Sequence, residues 1–137
     1  MVTIKTEIKT SGNSLMKNKT CDVLIKPSQE GKIRIFSKGA DVGFNADIDN
    51  LYSTDHCVTL CSKEHRTLLG DYKYKAMLCE HFMAACAFCK IDSIDVYLSE
   101  TEFPIFDGSA KVWVELFKQA RIEGINNDLY TVSDPVY

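Results

Sequence analysis

The first forty residues carry the pattern that most restricts the fold, because short runs of β-branched residues alternate with charged ones and are separated by turn signals. Residues 32–37 (Lys-Ile-Arg-Ile-Phe-Ser) have a period of two, with Ile33 and Ile35 on one face. Residues 3–10 and 20–26 have the same character, Pro27 ends the latter run, and turn signals occupy residues 11–14 and 29–31. This pattern predicts an antiparallel meander with one buried face.

Apolar residues with helical spacing follow the strands. Phe82, Met83, Cys86 and Cys89 stand at i, i+1, i+4 and i+7, which predicts a helix over residues 77–89 with one buried face. A strand at 94–99 separates it from a second predicted helix at 110–122, for which Ser109 is the expected N-cap. The buried face of that second helix is expected to carry Val112, Leu116, Phe117 and Ala120.

Shorter strands are predicted at residues 47–52, 57–61, 66–69 and 129–132. The order of strands, helix, strand and helix favours an α+β fold, a two-layer sandwich with a mostly antiparallel sheet and two helices on one face.

Composition excludes several classes of protein. A chain of 137 residues is expected to form one domain, and a net charge of −3 with a pI near 5.6 argues against nucleic-acid binding. No run of 18 apolar residues and no N-terminal apolar region occurs, so we predict no transmembrane segment and a cytoplasmic location. The six cysteines, including the Cys86-x-x-Cys89 pair, are then interpreted as small core residues in a reducing compartment.

Glu80 and His81 form the candidate chemical site at the start of the first helix. Successive helical residues point about 100° apart, so both cannot face the core, but both can project into a cleft at the edge of the domain. There a carboxylate and an imidazole are suited to proton transfer and metal binding. A competing interpretation is a solvated first helical turn, in which Glu80 favourably meets the positive end of the helix dipole.

Two longer motifs resemble a known family. Residues 79–85 (Cys-Glu-His-Phe-Met-Ala-Ala) and 102–110 (Glu-Phe-Pro-Ile-Phe-Asp-Gly-Ser-Ala) resemble the Val-Glu-His-Leu-Leu-Ser-Ala and Pro-Ile-Met-Asp-Gly-Ser-Ala motifs of UDP-3-O-acyl-N-acetylglucosamine deacetylase. This family is the zinc amidase of lipid A biosynthesis. The similarity is to its first domain and covers roughly residues 3–123.

The resemblance implies roles for the residues that match. His81 stands at the position of one of three zinc ligands, and Glu80 at that of the general base. Zinc lowers the pKa of bound water toward ~7 and polarises the amide carbonyl, and a nearby carboxylate relays the proton. The implied cofactor is therefore zinc, and the implied substrate is a UDP-sugar lipid precursor.

Other matching positions carry weaker implications. Asp107, Gly108 and Ser109 are expected to be architectural, since they would set the start of the second helix. Thr54 and Thr59 fall in the family's insert, here about residues 52–75, and are expected to flank the substrate.

The departures from the family pattern limit what the chain is expected to do alone. In the family the other two zinc ligands come from a second domain, and residues 12–16 (Gly-Asn-Ser-Leu-Met) replace a Gly-Val-Gly-Leu-His loop and its histidine. We predict a single domain at 1–125 and a tail at 126–137 that resembles the start of the second domain. The alternative source of ligands is within the insert, which contains His56, Cys57, Cys61 and His65.

Three functions follow from the resemblance. The chain is half of the deacetylase, with an incomplete zinc site and a second-domain polypeptide as its partner. Alternatively it is a non-catalytic binding or regulatory module of the same fold, or it is an enzyme only as a homo-oligomer. In the first case an apolar surface is left uncovered, so we expect self-association or protein binding through the face around Glu80 and His81.

Overall fold

In a computed structural model, the protein is described at residues 1–15, 18–38, 40, 43–47, 50–53, 59–61 and 75–124. The strands are β1 (Val2–Ile4), β2 (Ile8–Asn13), β3 (Thr20–Pro27), β4 (Ile33–Ser37), β5 (Phe44–Asn45), β6 (Leu51–Ser53), β7 (Thr59–Cys61), β8 (Lys75–Met77), β9 (Ile94–Leu98) and β10 (Ile122–Gly124). The helices are α1 (Glu80–Cys89) and α2 (Lys111–Ala120). None of the helices in these ranges is long and apolar enough to cross a membrane.

The main sheet has five strands in the order β2-β3-β9-β4-β5. Its central strand, β9, is antiparallel to β3 and parallel to β4, while the other pairs are antiparallel. Alternate residues of β3 and β9 are buried, as period two requires, and they share one core with the buried residues of both helices. The predicted α+β two-layer sandwich with helices on one side of a mostly antiparallel sheet is confirmed.

Two smaller sheets flank the main one. β6, β7 and β8 form an antiparallel three-stranded sheet, and β1 pairs with β10. Strand β8 leads directly into α1, and a parallel bridge joins Met77 to Glu102. The insert strands are therefore held beside the start of α1.

The prediction of one strand over residues 3–10 was wrong. The N–H groups of Lys5 and Thr6 bond to carbonyls at the end of α2, including that of Ala120, so the chain leaves one sheet and enters another. The turn predicted at 11–14 also begins later, because β2 continues to Asn13, whose carbonyl accepts a hydrogen bond from the N–H of Ile105. Contacts distant in sequence decided both boundaries.

The helix boundaries also differ from prediction. α1 begins at Glu80 rather than residue 77, because residues 75–77 form β8 and Leu78 has φ +56°, outside the helical region. α2 ends at Ala120, since Arg121 has φ +67° and Ile122 begins β10. On α2, Phe117 and Ala120 are buried as expected, but the third buried residue is Trp113, with Val112 and Leu116 half-buried.

Several predictions lie outside the described residues, among them the strands at 66–69 and 129–132. The boundary at residue 125 and the tail at 126–137 also lie there. This division of the chain stays a prediction.

Candidate active site

The start of α1 carries the two residues with the strongest chemical prediction. β8 ends at Met77, the chain reverses through Leu78, and Cys79 is the N-cap without a side-chain capping bond. The first helical hydrogen bond runs from the Met83 N–H to the Cys79 carbonyl, over 2.8 Å. Glu80 is the one acidic residue in this first turn, where a negative charge interacts favourably with the helix dipole.

Glu80 and His81 are both half-buried, so neither side chain is packed away in the core. The Oε1 atom of Glu80 is buried, and Phe82, the residue after His81, is completely buried. Consecutive positions on a helix thus divide between the core and the domain edge. Half-burial is compatible with a place at the domain edge, and the cleft into which Glu80 and His81 are expected to project stays a prediction.

An aromatic cluster fixes the start of α1 against the second motif. The ring of Phe82 stacks on Phe103 at a centroid distance of 4.8 Å and meets the edge of Trp113 at 5.1 Å. Phe117 lies 6.0 Å from Phe82, and Phe106 packs on Trp113 at 5.0 Å. Both sequence motifs therefore contribute to one core.

The two helices run in the same direction. Phe82, near the start of α1, contacts Trp113, near the start of α2. At the other end, Cys89 of α1 interacts electrostatically with Lys118 of α2. The helix starts consequently lie at the same end of the sandwich. This brings the turn that precedes α2 to the end that carries Glu80 and His81.

That turn contains Asp107, Gly108 and Ser109. The Oδ1 atom of Asp107 accepts hydrogen bonds from the Ser109 N–H (3.0 Å) and hydroxyl (2.9 Å), which lower the pKa of this exposed carboxyl. Gly108 has φ +81°, a conformation that favours glycine, and the Ser109 hydroxyl oxygen accepts a bond from the Lys111 N–H (3.2 Å). The geometry agrees with an architectural turn.

The capping prediction for Ser109 was wrong by one residue. Ala110 is the N-cap of α2 and has no side-chain capping bond. The Ser109 hydroxyl oxygen still accepts a hydrogen bond from the N–H of Lys111, the first residue of α2. One of the free N–H groups at the helix start is thus satisfied by the residue before the N-cap.

Of the two threonines predicted to flank the substrate, Thr54 and Thr59, Thr59 lies within the part of the chain that the structure describes. It is buried in β7 and stands opposite Met77, three residues before Glu80. Thr54 lies outside the described residues, as do His56, Cys57 and His65, whereas Cys61 is buried in β7. Contact of Thr54 or Thr59 with a substrate stays a prediction.

Within the described part of the chain, no group of three or more His, Cys, Asp or Glu side chains could hold a metal ion. Catalytic zinc needs three protein ligands and one open position. Glu80 and His81 alone do not meet that requirement, so the described residues do not fit a complete zinc site. They fit one part of such a site, an imidazole beside a carboxylate.

The Cys86-x-x-Cys89 pair behaves as core. Cys86 is buried and Cys89 half-buried, and burial raises the pKa of both thiols, most strongly that of Cys86. A raised thiol pKa lowers the thiolate fraction that redox chemistry or metal binding requires. The interpretation of this pair as packing residues agrees with the structure.

Sequence reasoning missed Glu102, a completely buried acidic residue. The segment that contains it is tied to β8 by the Met77 N–H to Thr101 carbonyl bond (2.8 Å) and the Phe103 N–H to Met77 carbonyl bond (3.0 Å). Its position as the first residue of the second motif was the available signal, but the motif was interpreted only around its Asp-Gly-Ser turn.

Comparison with known proteins agrees with the motifs. The family model described as LpxC, UDP-3-O-acyl N-acetylglycosamine deacetylase, matches residues 1–137. Relatives named UDP-3-O-acyl-N-acetylglucosamine deacetylase include one from Chlamydia muridarum, 28% identical, and one from Chlamydia caviae, 30% identical. Each alignment covers 98% of this chain and 46% of the relative. A relative of the same name from Colwellia psychrerythraea is 29% identical over 90% of this chain and 39% of its own length.

The chain spans about half the length of the curated relatives it matches. The family match nevertheless extends over the whole chain and contains both motifs, with Glu80 and His81 in the first of them. The chain therefore belongs to the UDP-3-O-acyl N-acetylglycosamine deacetylase family.

Proposed function

We propose that this chain supplies half of a zinc-dependent UDP-3-O-acyl-N-acetylglucosamine deacetylase, with Glu80 as the general base and His81 as one zinc ligand. The remaining ligands come from a second domain on another polypeptide segment. The observation that carries the proposal is the pair Glu80–His81, half-buried at a helix start within a chain that belongs to this family. Zinc in the completed centre would supply a polarised carbonyl and an activated water.

The exposed side of α1 supports a partner at this face. His81, Ala84 and Phe88 follow one helical stripe at i, i+3 and i+7, and the Phe88 side chain is 71% exposed. No charged residue occurs between His81 and Lys90, so the stripe has the composition of a buried surface. The outward side of α2, in contrast, carries exposed charged residues, among them Lys111, Glu115 and Lys118.

The first experiment measures the metal directly. The zinc content of the purified chain is compared with that of His81→Ala and of His65→Ala, which removes one of the alternative ligands in the insert. One ligand binds zinc weakly, so the isolated chain is expected to hold substoichiometric zinc that His81→Ala removes and His65→Ala leaves. Full occupancy that survives His81→Ala would contradict the assignment.

The second experiment measures activity by complementation. The chain is mixed with a polypeptide that comprises the part of the Chlamydia caviae relative outside the matched region, and acetate release from UDP-3-O-acyl-N-acetylglucosamine is followed. We expect no activity from either piece alone and zinc-dependent activity from the mixture. Glu80→Gln should abolish this activity, whereas Glu115→Gln, on the exposed side of α2, should not.

A non-catalytic binding module of the same fold is the second candidate. It is favoured by the incomplete set of metal ligands within the described residues. Persistent inactivity of the mixture, with a polypeptide shown to bind the chain and with zinc in excess, would select this candidate over the half-enzyme.

A further inference from the structure

The main sheet has one face on the helices and one face turned away from them. Side chains alternate between the two faces along each strand, so the exposed and half-buried residues at the ends of β2, β3 and β9 form the outward face. The strand register and the Ser99 N–H to Asp22 carbonyl bond (3.0 Å) align them in two rows across the strands. The first row is Lys9, Leu24 and Tyr97, and the second row is Ser11, Asp22 and Ser99.

An open groove of about 610 Å³ lies between the two rows. The rows are two residues apart along each strand, which is about 7 Å, and each row crosses three strands over about 10 Å. The backbone of the intervening residues Thr10, Val23 and Leu98 forms the floor of the groove. A volume of this size is typical of small-molecule sites, and the dimensions suit one or two six-membered rings.

The groove combines an apolar wall with charged groups of both signs. Leu24 and the ring of Tyr97, which stacks on Phe36 at a centroid distance of 4.5 Å, supply the apolar wall. Asp22 presents a carboxylate, which only accepts hydrogen bonds, and Lys9 presents an ammonium group, which only donates them. Both side chains are exposed, and among the described residues neither charged group makes a hydrogen bond or an ion pair.

These groups together select the class of ligand. An anion would be repelled by the Asp22 carboxylate and a cation by the Lys9 ammonium, while a purely apolar ligand would cover both charges without giving either a partner. A neutral ring with several hydroxyl groups can donate to Asp22 and accept from Lys9, and its C–H groups can lie against Leu24 and Tyr97. The hydroxyl of Ser11 can bond to such a ligand as donor or acceptor.

We propose that the outward groove of the main sheet binds a neutral saccharide of one or two rings. The groove lies on the sheet face opposite the helices, whereas Glu80 and His81 lie on α1. The proposal is therefore separate from the function proposed above.

Nuclear magnetic resonance of the ¹⁵N-labelled chain tests the site with four sugars, namely glucose, N-acetylglucosamine, cellobiose and maltose. The open groove leaves much of a ligand in water, so we expect saturable shifts of the amides in the two rows with a dissociation constant of roughly 1 mM. None of the four sugars shifting these amides at about 50 mM would overturn the proposal.

Two substitutions in the groove are compared with two matched controls outside it. Asp22→Asn removes the charged acceptor and Lys9→Met removes the charged donor while keeping its apolar stem, so each is expected to weaken sugar binding about 10-fold. Glu7→Gln and Lys5→Met make the same changes of charge outside the groove and should leave binding unchanged. All four side chains are exposed, so we expect the fold to be kept. Equal effects of the groove and control substitutions would overturn the proposal.

Inorganic phosphate is the competing ligand, because Lys26 brings a second cation near Lys9, with its Nζ atom 5.4 Å from the centre of the Tyr97 ring. We expect phosphate to leave the amides of the two rows unshifted. Saturable shifts of these amides with phosphate and with none of the sugars would assign the groove to anions and overturn the saccharide.

A last comparison separates the groove from the site on α1, whose proposed substrate is itself a sugar derivative. His81→Ala is expected to remove bound zinc and to leave the sugar-induced shifts unchanged, whereas Asp22→Asn is expected to weaken sugar binding and to leave the zinc content unchanged. Sugar-induced shifts that are confined to α1, or that disappear in His81→Ala, would place the saccharide at α1 and overturn the groove assignment.

Discussion

Replacement of Phe82 by alanine tests whether the aromatic cluster holds the start of α1. The ring is completely buried, and its aromatic neighbours within 6.0 Å among the described residues are Phe103, Trp113 and Phe117. Truncation of such a side chain removes its transfer free energy and leaves a cavity, so Phe82→Ala is expected to lower the free energy of unfolding by about 3–5 kcal/mol. A chain of this size has about 5–15 kcal/mol in total, so the loss is a large fraction.

The matched control is Phe88→Ala, the same substitution on the same helix, where the side chain is 71% exposed. Its effect is expected to stay within about 0.5 kcal/mol. Both are measured by urea unfolding at low chain concentration, where self-association does not contribute. Phe82→Leu, which keeps most of the volume, provides a folded variant if Phe82→Ala does not fold. A cost for Phe82→Ala below about 1.5 kcal/mol, or equal to that of Phe88→Ala, would refute the reasoning.

Three further predictions concern other sites. Gly12→Ala would place a Cβ 2.8 Å from a ring carbon of Phe106, so it should cost about 1–3 kcal/mol in urea unfolding. Gly124→Ala, whose Cβ would meet none of the described atoms within 4 Å, should cost almost nothing, and equal costs would contradict this packing. Because the folded pKa of Asp107 is depressed, its stabilisation is present above the unfolded pKa of about 4 and is lost as the pH falls through the folded pKa. The difference in stability between wild type and Asp107→Asn should therefore close in acid, and a difference that does not depend on pH would refute this prediction. Burial raises the pKa of the Cys86 thiol, so Cys86 should react with a thiol reagent at pH 8 only after unfolding. The site of labelling is identified by peptide mass mapping. Rapid labelling of Cys86 in the native chain would contradict its assignment to the core.

Much of the fold was predictable because the relevant signals are local. The period-two alternation around Ile33 and Ile35 and the helical spacing after Phe82 reflect side-chain geometry that acts over a few residues. The existence of both helices and of the central strands was therefore predicted correctly, as was the two-layer arrangement. The identity of Glu80 and His81 as a candidate site came from motif residues and needed no tertiary information.

Boundaries and neighbours were less predictable, because they depend on distant contacts. The extension of β2 to Asn13 requires the N–H of Ile105, and the end of α2 requires the N–H groups of Lys5 and Thr6. Trp113 was missed as a core residue although it stands at i, i+4 and i+7 with Phe117 and Ala120, the spacing of one helical face. The pattern within α2 therefore contained this information, and the prediction placed the buried face one residue away, at Val112.

The sequence by itself determined the fold class, the family and the two residues with the strongest chemical prediction, Glu80 and His81. Alternation, helical spacing and motifs are properties of short segments, so they can be recognised without tertiary structure. Only the tertiary structure decided which surfaces are left exposed: the stripe of α1 that carries His81 and Phe88, and the outward face of the main sheet at Lys9 and Asp22. Exposure of a surface depends on what packs beside it. Hydrogen-bond direction and burial are fixed when distant segments meet, and that meeting is a property of the folded chain as a whole.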